Sequence, residues 1–177
     1  MTPVSIYQKI RDKYSNSVML ESSDYGANDN SYAYVCFNSI SSFKVYNDKI
    51  EKIYPDNLIE QNILIENSSV VDEIDNFCKK FQTKKSDSKF FENGLIGYMN
   101  YDAVQHFENI NFKVKNSDIK IPEVFYAFYS NIIIINVFNN EAILLHHSYN
   151  KENNLNEIEE LLKSNKISKF DFKKSGK

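Results

Sequence analysis

The chain has 177 residues, of which 42% are hydrophobic, 14% aromatic and 25% charged; this is the composition of an ordered globular protein and excludes a disordered one. A net charge of −3, with Arg11 the single arginine, excludes the basic footprint of a nucleic-acid binder, and no apolar run approaches the length of a bilayer span. A chain of this size buries roughly 70% of the surface that its unfolded form exposes, so one domain or two fused halves can fold without a disulfide or metal staple.

In chain order, Thr2-Pro3 reads as an N-cap followed by proline at the first helical position, and Ile6 and Ile10 supply helical spacing, which predicts a helix over 3–14. Val18-Met19-Leu20-Glu21-Ser22 reads as a short strand, and the run 23–30 is dense in turn formers. Aromatic and β-branched residues predict strands over 31–37, 42–46 and 49–54, the last two joined by a turn at Asn47-Asp48. Ser69, Asp72 and Glu73 open a second helix whose apolar stripe is Val70, Val71, Ile74, Phe77, Cys78 and Phe81. A solvated loop over 83–89 follows.

A glycine-punctuated strand is expected over 93–101 and a short helix over 102–107. Strands follow over 125–130, 132–138 and 141–148, with a hairpin turn at Asn139-Asn140, and a last helix spans 155–164. The lysine-rich stretch that follows has no core periodicity. The expected organisation is a domain over 1–165 and a linker over 166–177. Helices and hairpins arrive in blocks without a βαβ rhythm, so the expected fold class is α+β, with antiparallel β-sheet layers covered by helices.

The residues offer little catalytic chemistry. Gly94-Leu95-Ile96-Gly97 is too sparse for a dinucleotide fingerprint, and glycine within a strand marks a bulge or a close backbone approach. His146-His147 are neighbours in a predicted strand, so their rings face opposite ways and cannot easily chelate one metal, and His106 is distant in sequence. Cys36 and Cys78 form no CxxC pair and read as small buried hydrophobes in a reducing cytoplasm. Met1-Thr2-Pro3-Val4-Ser5 has the pattern of neither a basic n-region nor an apolar h-region. No catalytic residue and no metal ligand is predicted. Two stretches stand out as places where sites are built, Leu20-Glu21-Ser22-Ser23-Asp24 and Gly94 through Asp102, because polar strand ends and loops carry function.

Those stretches, with Thr2-Pro3-Val4-Ser5-Ile6-Tyr7, the run 30–38, the continuation to Glu108 and the run Ile121-Pro122-Glu123-Val124-Phe125-Tyr126-Ala127-Phe128-Tyr129, form an ordered set that resembles the N-terminal domain of anthranilate synthase component I. The resemblance covers essentially the whole chain. It implies the front part of the anthranilate synthase and aminodeoxychorismate synthase type of fold. It also implies a share in a lyase of tryptophan biosynthesis that makes anthranilate from chorismate. Mg²⁺ is then expected only in a C-terminal catalytic domain outside this chain, and the chain alone is expected to be no enzyme. The implied partners are that chorismate-binding domain, a glutamine amidotransferase subunit (component II) and L-tryptophan as feedback inhibitor.

In the family, tryptophan binds against a Leu-Glu-Ser element, matched here by Leu20, Glu21 and Ser22, and against the start of the following strand, matched by Asn30, Ser31 and Tyr32. Strand alternation puts Leu20 and Ser22 on one face and Glu21 on the other, so Ser22 is the expected direct contact and Glu21 a positioning residue. Asn38-Ser39 departs from the Asp-Pro or Asn-Pro of many relatives, which concerns turn geometry at the strand end. Two other readings stand beside this one: the large subunit of aminodeoxychorismate synthase in the folate pathway, and a truncated stand-alone binding or remnant protein.

Overall fold

The computed structural model describes residues 2–21, 31–46, 49–64, 69–82, 87–110, 112, 120–150 and 153–164. The elements are α1 (Pro3–Arg11), β1 (Val18–Glu21), β2 (Tyr32–Tyr46), β3 (Lys49–Ile53), β4 (Ile59–Ile63), α2 (Val70–Lys79), β5 (Ile96–Met99), a 3-10 helix (Tyr101–His106), β6 (Val124–Asn136), β7 (Glu141–His146) and α3 (Leu155–Lys163). The fold class is α+β: β1–β2, β2–β3, β3–β4, β5–β6 and β6–β7 all pair antiparallel. The chain divides into two compact units. The first holds Met1–Asn38 and Ser130–Lys177, and the second holds Ser39–Tyr129. The long strands β2 and β6, neighbours in the strand order, each give one half to each unit.

In the first unit, α1 starts where the sequence says it should. The Thr2 side chain accepts a hydrogen bond from Ser5 N at 3.2 Å, and Pro3 occupies the first turn, where its missing N–H costs nothing. Ile6 and Ile10 are buried and pack with Ala33, Val35, Phe37, Ile133, Ile135 and Ile158 of α3. The helix ends earlier than expected, because Lys13 and Tyr14 close back on Ile10 O and Asn16 takes a left-handed φ of 57°. Lys9 joins the two helices: its Nζ donates to Leu162 O at 2.5 Å and Ser164 O at 2.6 Å, satisfying carbonyls that the end of α3 leaves unpaired.

The second unit has its own core of Phe43, Val45, Ile50, Tyr54, Val70, Phe77, Ala103 and Val124. Ser69 caps α2 by accepting from Asp72 N at 3.1 Å. Phe77 lies fully buried among the rings of Phe43, Tyr54, Phe81 and Phe128. Burying one such ring contributes about 2–3 kcal/mol. Val71, expected in the same stripe, stays exposed because the helix turns it outward.

Several expectations need correction. The strands expected over 31–37 and 42–46 are one strand, because Asn38 passes through the left-handed region at φ 58° instead of ending the pairing. Ser130 Oγ anchors it, donating to Asn38 O at 3.1 Å and accepting from Asn38 Nδ2 at 2.8 Å. The strands expected over 125–130 and 132–138 are likewise one strand, β6. The short helix after β5 is a 3-10 turn. Strand β4 was not anticipated at all. It is made by a three-residue turn at Pro55-Asp56-Asn57, where Asn57 N donates to Tyr54 O, Tyr54 N donates to Leu58 O, and Asn57 has φ 64°. The expected linker over 166–177, the loop over 83–86 and the turn at Asn47-Asp48 lie outside the described residues.

Candidate functional site

The strand pair β1–β2 in the first unit carries the residues singled out from the sequence. Val18, Met19, Leu20 and Glu21 pair with Cys36, Val35, Tyr34 and Ala33. Directly opposed residues share a face, so Met19 and Glu21 lie on the side of the buried Val35 and Ala33. Leu20 lies on the other side with Tyr34 and, two residues along β2, Tyr32. Leu20 is 44% exposed, and the Tyr32 and Tyr34 rings, both half-buried, have centroids 6.5 Å apart. An exposed aliphatic side chain flanked by two phenol rings is a surface suited to a flat apolar group.

Of the six site residues expected, Leu20, Glu21, Ser31 and Tyr32 are described, while Ser22 and Asn30 lie outside the described residues. Leu20 and Tyr32 share a face, and Glu21 stands on the opposite one, with its side chain exposed. Ser31, half-buried, accepts through its carbonyl from Val137 N at 3.0 Å, which ties the start of β2 to the end of β6. Tyr34 was missed from the sequence. Its signal was available in the two-residue period running on from Tyr32.

Chemistry elsewhere is held in internal pairs. In the first unit, His146 Nδ1 donates to Asn131 Oδ1 at 2.8 Å, and the buried Asn131 donates on to Ser130 Oγ at 3.1 Å. In the second, His106 Nε2 donates to Glu123 Oε2 at 2.5 Å, and Gln105 Nε2 donates to the other carboxylate oxygen at 2.9 Å. Backbone bonds from Glu123 N to Val45 O and from Asn100 N to Glu123 O fix this residue further. No sequence signal joined His106 to Glu123, since the two lie 17 residues apart, one at the end of the 3-10 helix and the other just before β6. Burial pushes the Cys36 thiol up to about 12, and burial followed by the nearby Asp75 raises Cys78, so both thiols stay protonated at neutral pH.

Gly97 marks a close approach of two backbones, as expected of a strand glycine. A Cβ there would stand 1.8 Å from Phe125 O on β6. Among the described residues, no three His, Cys, Asp or Glu side chains converge as metal ligands. No helix among them is long and apolar enough to cross a membrane.

These features define an α+β protein with a semi-exposed aromatic strand face and no converging metal ligands among the described residues. The resemblance read from the ordered motifs is found again by alignment. The chain is 26% identical over 161 residues to anthranilate synthase component 1 of Methanothermobacter thermautotrophicus, across 91% of this chain and 32% of that protein. The crystal structure of anthranilate synthase component I from Streptococcus pneumoniae TIGR4 superposes with a TM-score of 0.48 and 17% identity, across 92% of this chain and 33% of that one. The chain thus spans about a third of the length of the relatives it matches. No family model matches it.

Proposed function

We propose that the chain is the N-terminal, non-catalytic part of an anthranilate synthase component I, and that its β1–β2 edge contributes half of a tryptophan feedback site. The observation that carries this reading is the alignment: 91% of the chain matches 32% of a component 1 protein, in line with the ordered motifs. The remaining two thirds of such a protein would hold the chorismate and Mg²⁺ chemistry and meet the amidotransferase subunit that delivers ammonia. This part alone then has no lyase activity.

The site chemistry supports the ligand. Tryptophan needs an apolar slot for indole, acceptors for its ammonium and donors for its carboxylate. Leu20, Tyr32 and Tyr34 offer the slot, Ser22 a hydroxyl, and the strand ends backbone N–H and C=O groups. Glu21, on the other face, is a positioning residue rather than a ligand contact. Feedback is then a coupling free energy, in which tryptophan favours an arrangement that binds chorismate poorly. Half a site binds weakly, because contacts from the catalytic part are missing.

The test joins this chain to its catalytic part and follows anthranilate formation from chorismate and ammonia while tryptophan is titrated. Ser22→Arg is expected to raise the half-inhibiting concentration by about tenfold or more at unchanged uninhibited rate, since it fills the slot with a charged side chain. Inhibition that survives Ser22→Arg unchanged would remove the site assignment. A joined enzyme that makes no anthranilate would remove the family reading. The chain contains no Trp, so bound ligand fluorescence is free of protein indole background in this part.

A further inference from the structure

Strand β4 ends the strand order of the second unit, pairing with β3 on one side only. Its hydrogen-bond phase follows from the turn that creates it. Tyr54 N donates to Leu58 O, so 54 and 58 form a hydrogen-bonded pair, and the antiparallel ladder then alternates. Glu60 and Asn62 consequently direct their backbone N–H and C=O toward β3, while Ile59, Gln61 and Ile63 direct theirs outward. Among the described residues, no backbone bond reaches those three from the open side. Ile59 is 57% exposed and Ile63 77% exposed. Edge strands are ordinarily protected by charged side chains, proline or a bulge, and the run Ile59-Glu60-Gln61-Asn62-Ile63 carries the single charge of Glu60, no proline and no bulge.

We propose that this edge pairs with itself in a second copy of the chain, β4 against β4, antiparallel about a two-fold axis at Gln61. The sequence is self-complementary in that register. Gln61 meets Gln61 of the second copy, Ile59 meets Ile63, and Glu60 meets Asn62, so no like charges oppose and the exposed isoleucines cover each other. The outward phase makes 59–63, 61–61 and 63–59 the hydrogen-bonded pairs, giving about six new bonds. The Gln61 side chain does not obstruct, because its Nε2 donates back to Glu51 Oε2 at 2.9 Å. A single added strand pair buries less than the roughly 1,200 Å² of a stable interface, so the association is weak and concentration-dependent. It stands apart from the tryptophan site, since it uses only residues of the second unit.

Sedimentation equilibrium of the 177-residue chain, up to about 0.5 mM, is the test. The expected result is a monomer–dimer equilibrium that Gln61→Lys weakens by about tenfold or more, because it sets two ammonium groups face to face on the axis. Gln61→Pro should do the same by deleting an outward N–H while sparing the ladder to β3, with unchanged far-UV circular dichroism. Should either variant fail to fold, Gln61→Cys provides an independent readout. Opposed Cα atoms about 5.5 Å apart allow a disulfide-linked dimer on oxidation, and Asn62→Cys should give none. A chain that is monomeric throughout overturns the proposal and leaves the edge for another strand. A dimer that Gln61→Lys leaves intact, or that Gln61→Cys fails to cross-link, overturns it equally.

Discussion

The two units tie up their polar groups by different means. The first joins Asn38, Ser130, Asn131 and His146 in one hydrogen-bonded chain, and its Lys9 bonds carbonyl oxygens at the end of α3. The second uses the opposite charges of Lys52–Glu73 and Lys44–Glu51, beside the hydrogen bond between His106 and Glu123. A carboxylate whose partner holds its pKa down gives up that stabilisation as it protonates in acid. A lysine hydrogen bond holds Glu51 of the second unit and Glu159 of the first below the ordinary glutamate value, so each unit carries an acid-sensitive pair.

The largest effect is expected at the ring cluster of the second unit. Phe77→Ala should cost about 3–5 kcal/mol in denaturant unfolding, because a fully buried ring with four aromatic neighbours leaves a cavity the helix cannot close. Hydrogen exchange should rise in α2 and β3 more than in α1 and β1. Equal acceleration in both units would show that they unfold as one and blunt the contrast.

Glu73→Gln comes next. It strands the buried Lys52 ammonium with a weaker partner, and a loss of about 2–3 kcal/mol is expected. Lys9→Met is the matching change in the first unit. It removes two bonds to carbonyls that water can partly replace, so about 1 kcal/mol is expected from the same unfolding measurement. A larger loss at Lys9 than at Glu73 would reverse the comparison.

The smallest effect is that of acid on Glu51. The Lys44 hydrogen bond, which outweighs the burial of the carboxylate, holds its pKa below the ordinary glutamate value, with Gln61 adding to the same direction. A carboxylate depressed on folding contributes stability that is present above its unfolded pKa and lost as pH falls through the folded one. The contribution should be less than about 1 kcal/mol, gained above the ordinary carboxylate range and absent well below it. Glu51→Gln should flatten that part of the stability–pH curve, and an unchanged curve would assign the acid sensitivity elsewhere.

Much of the fold was legible because its signals are local. The Thr2-Pro3 start, the Ser69 cap and the burial of Ile6, Ile10 and Phe77 follow from spacing and capping chemistry. The continuity of β2 and β6 was not legible. Asn38 carries a turn-former's signature, and only its left-handed φ and the Ser130 anchor let the strand run on. Strand β4 was hidden because Ile59-Glu60-Gln61-Asn62-Ile63 has few β-formers and takes its conformation from pairing with β3.

The candidate site was legible as a motif and as an alternation of faces. Tyr34 joined it only once the register was known, because pairing across strands is a non-local fact. The His106–Glu123 contact was invisible for the same reason.

The most direct measurement of the central claim is an isotope-labelled spectrum of this chain joined to its catalytic part, recorded as L-tryptophan is added. Saturable shifts are expected at the amides of Leu20, Ser31, Tyr32 and Tyr34, at the concentrations that slow anthranilate formation, with the amides of Ile59, Gln61 and Ile63 unmoved. Inhibition by tryptophan with no shift along β1 and the start of β2 would contradict the account.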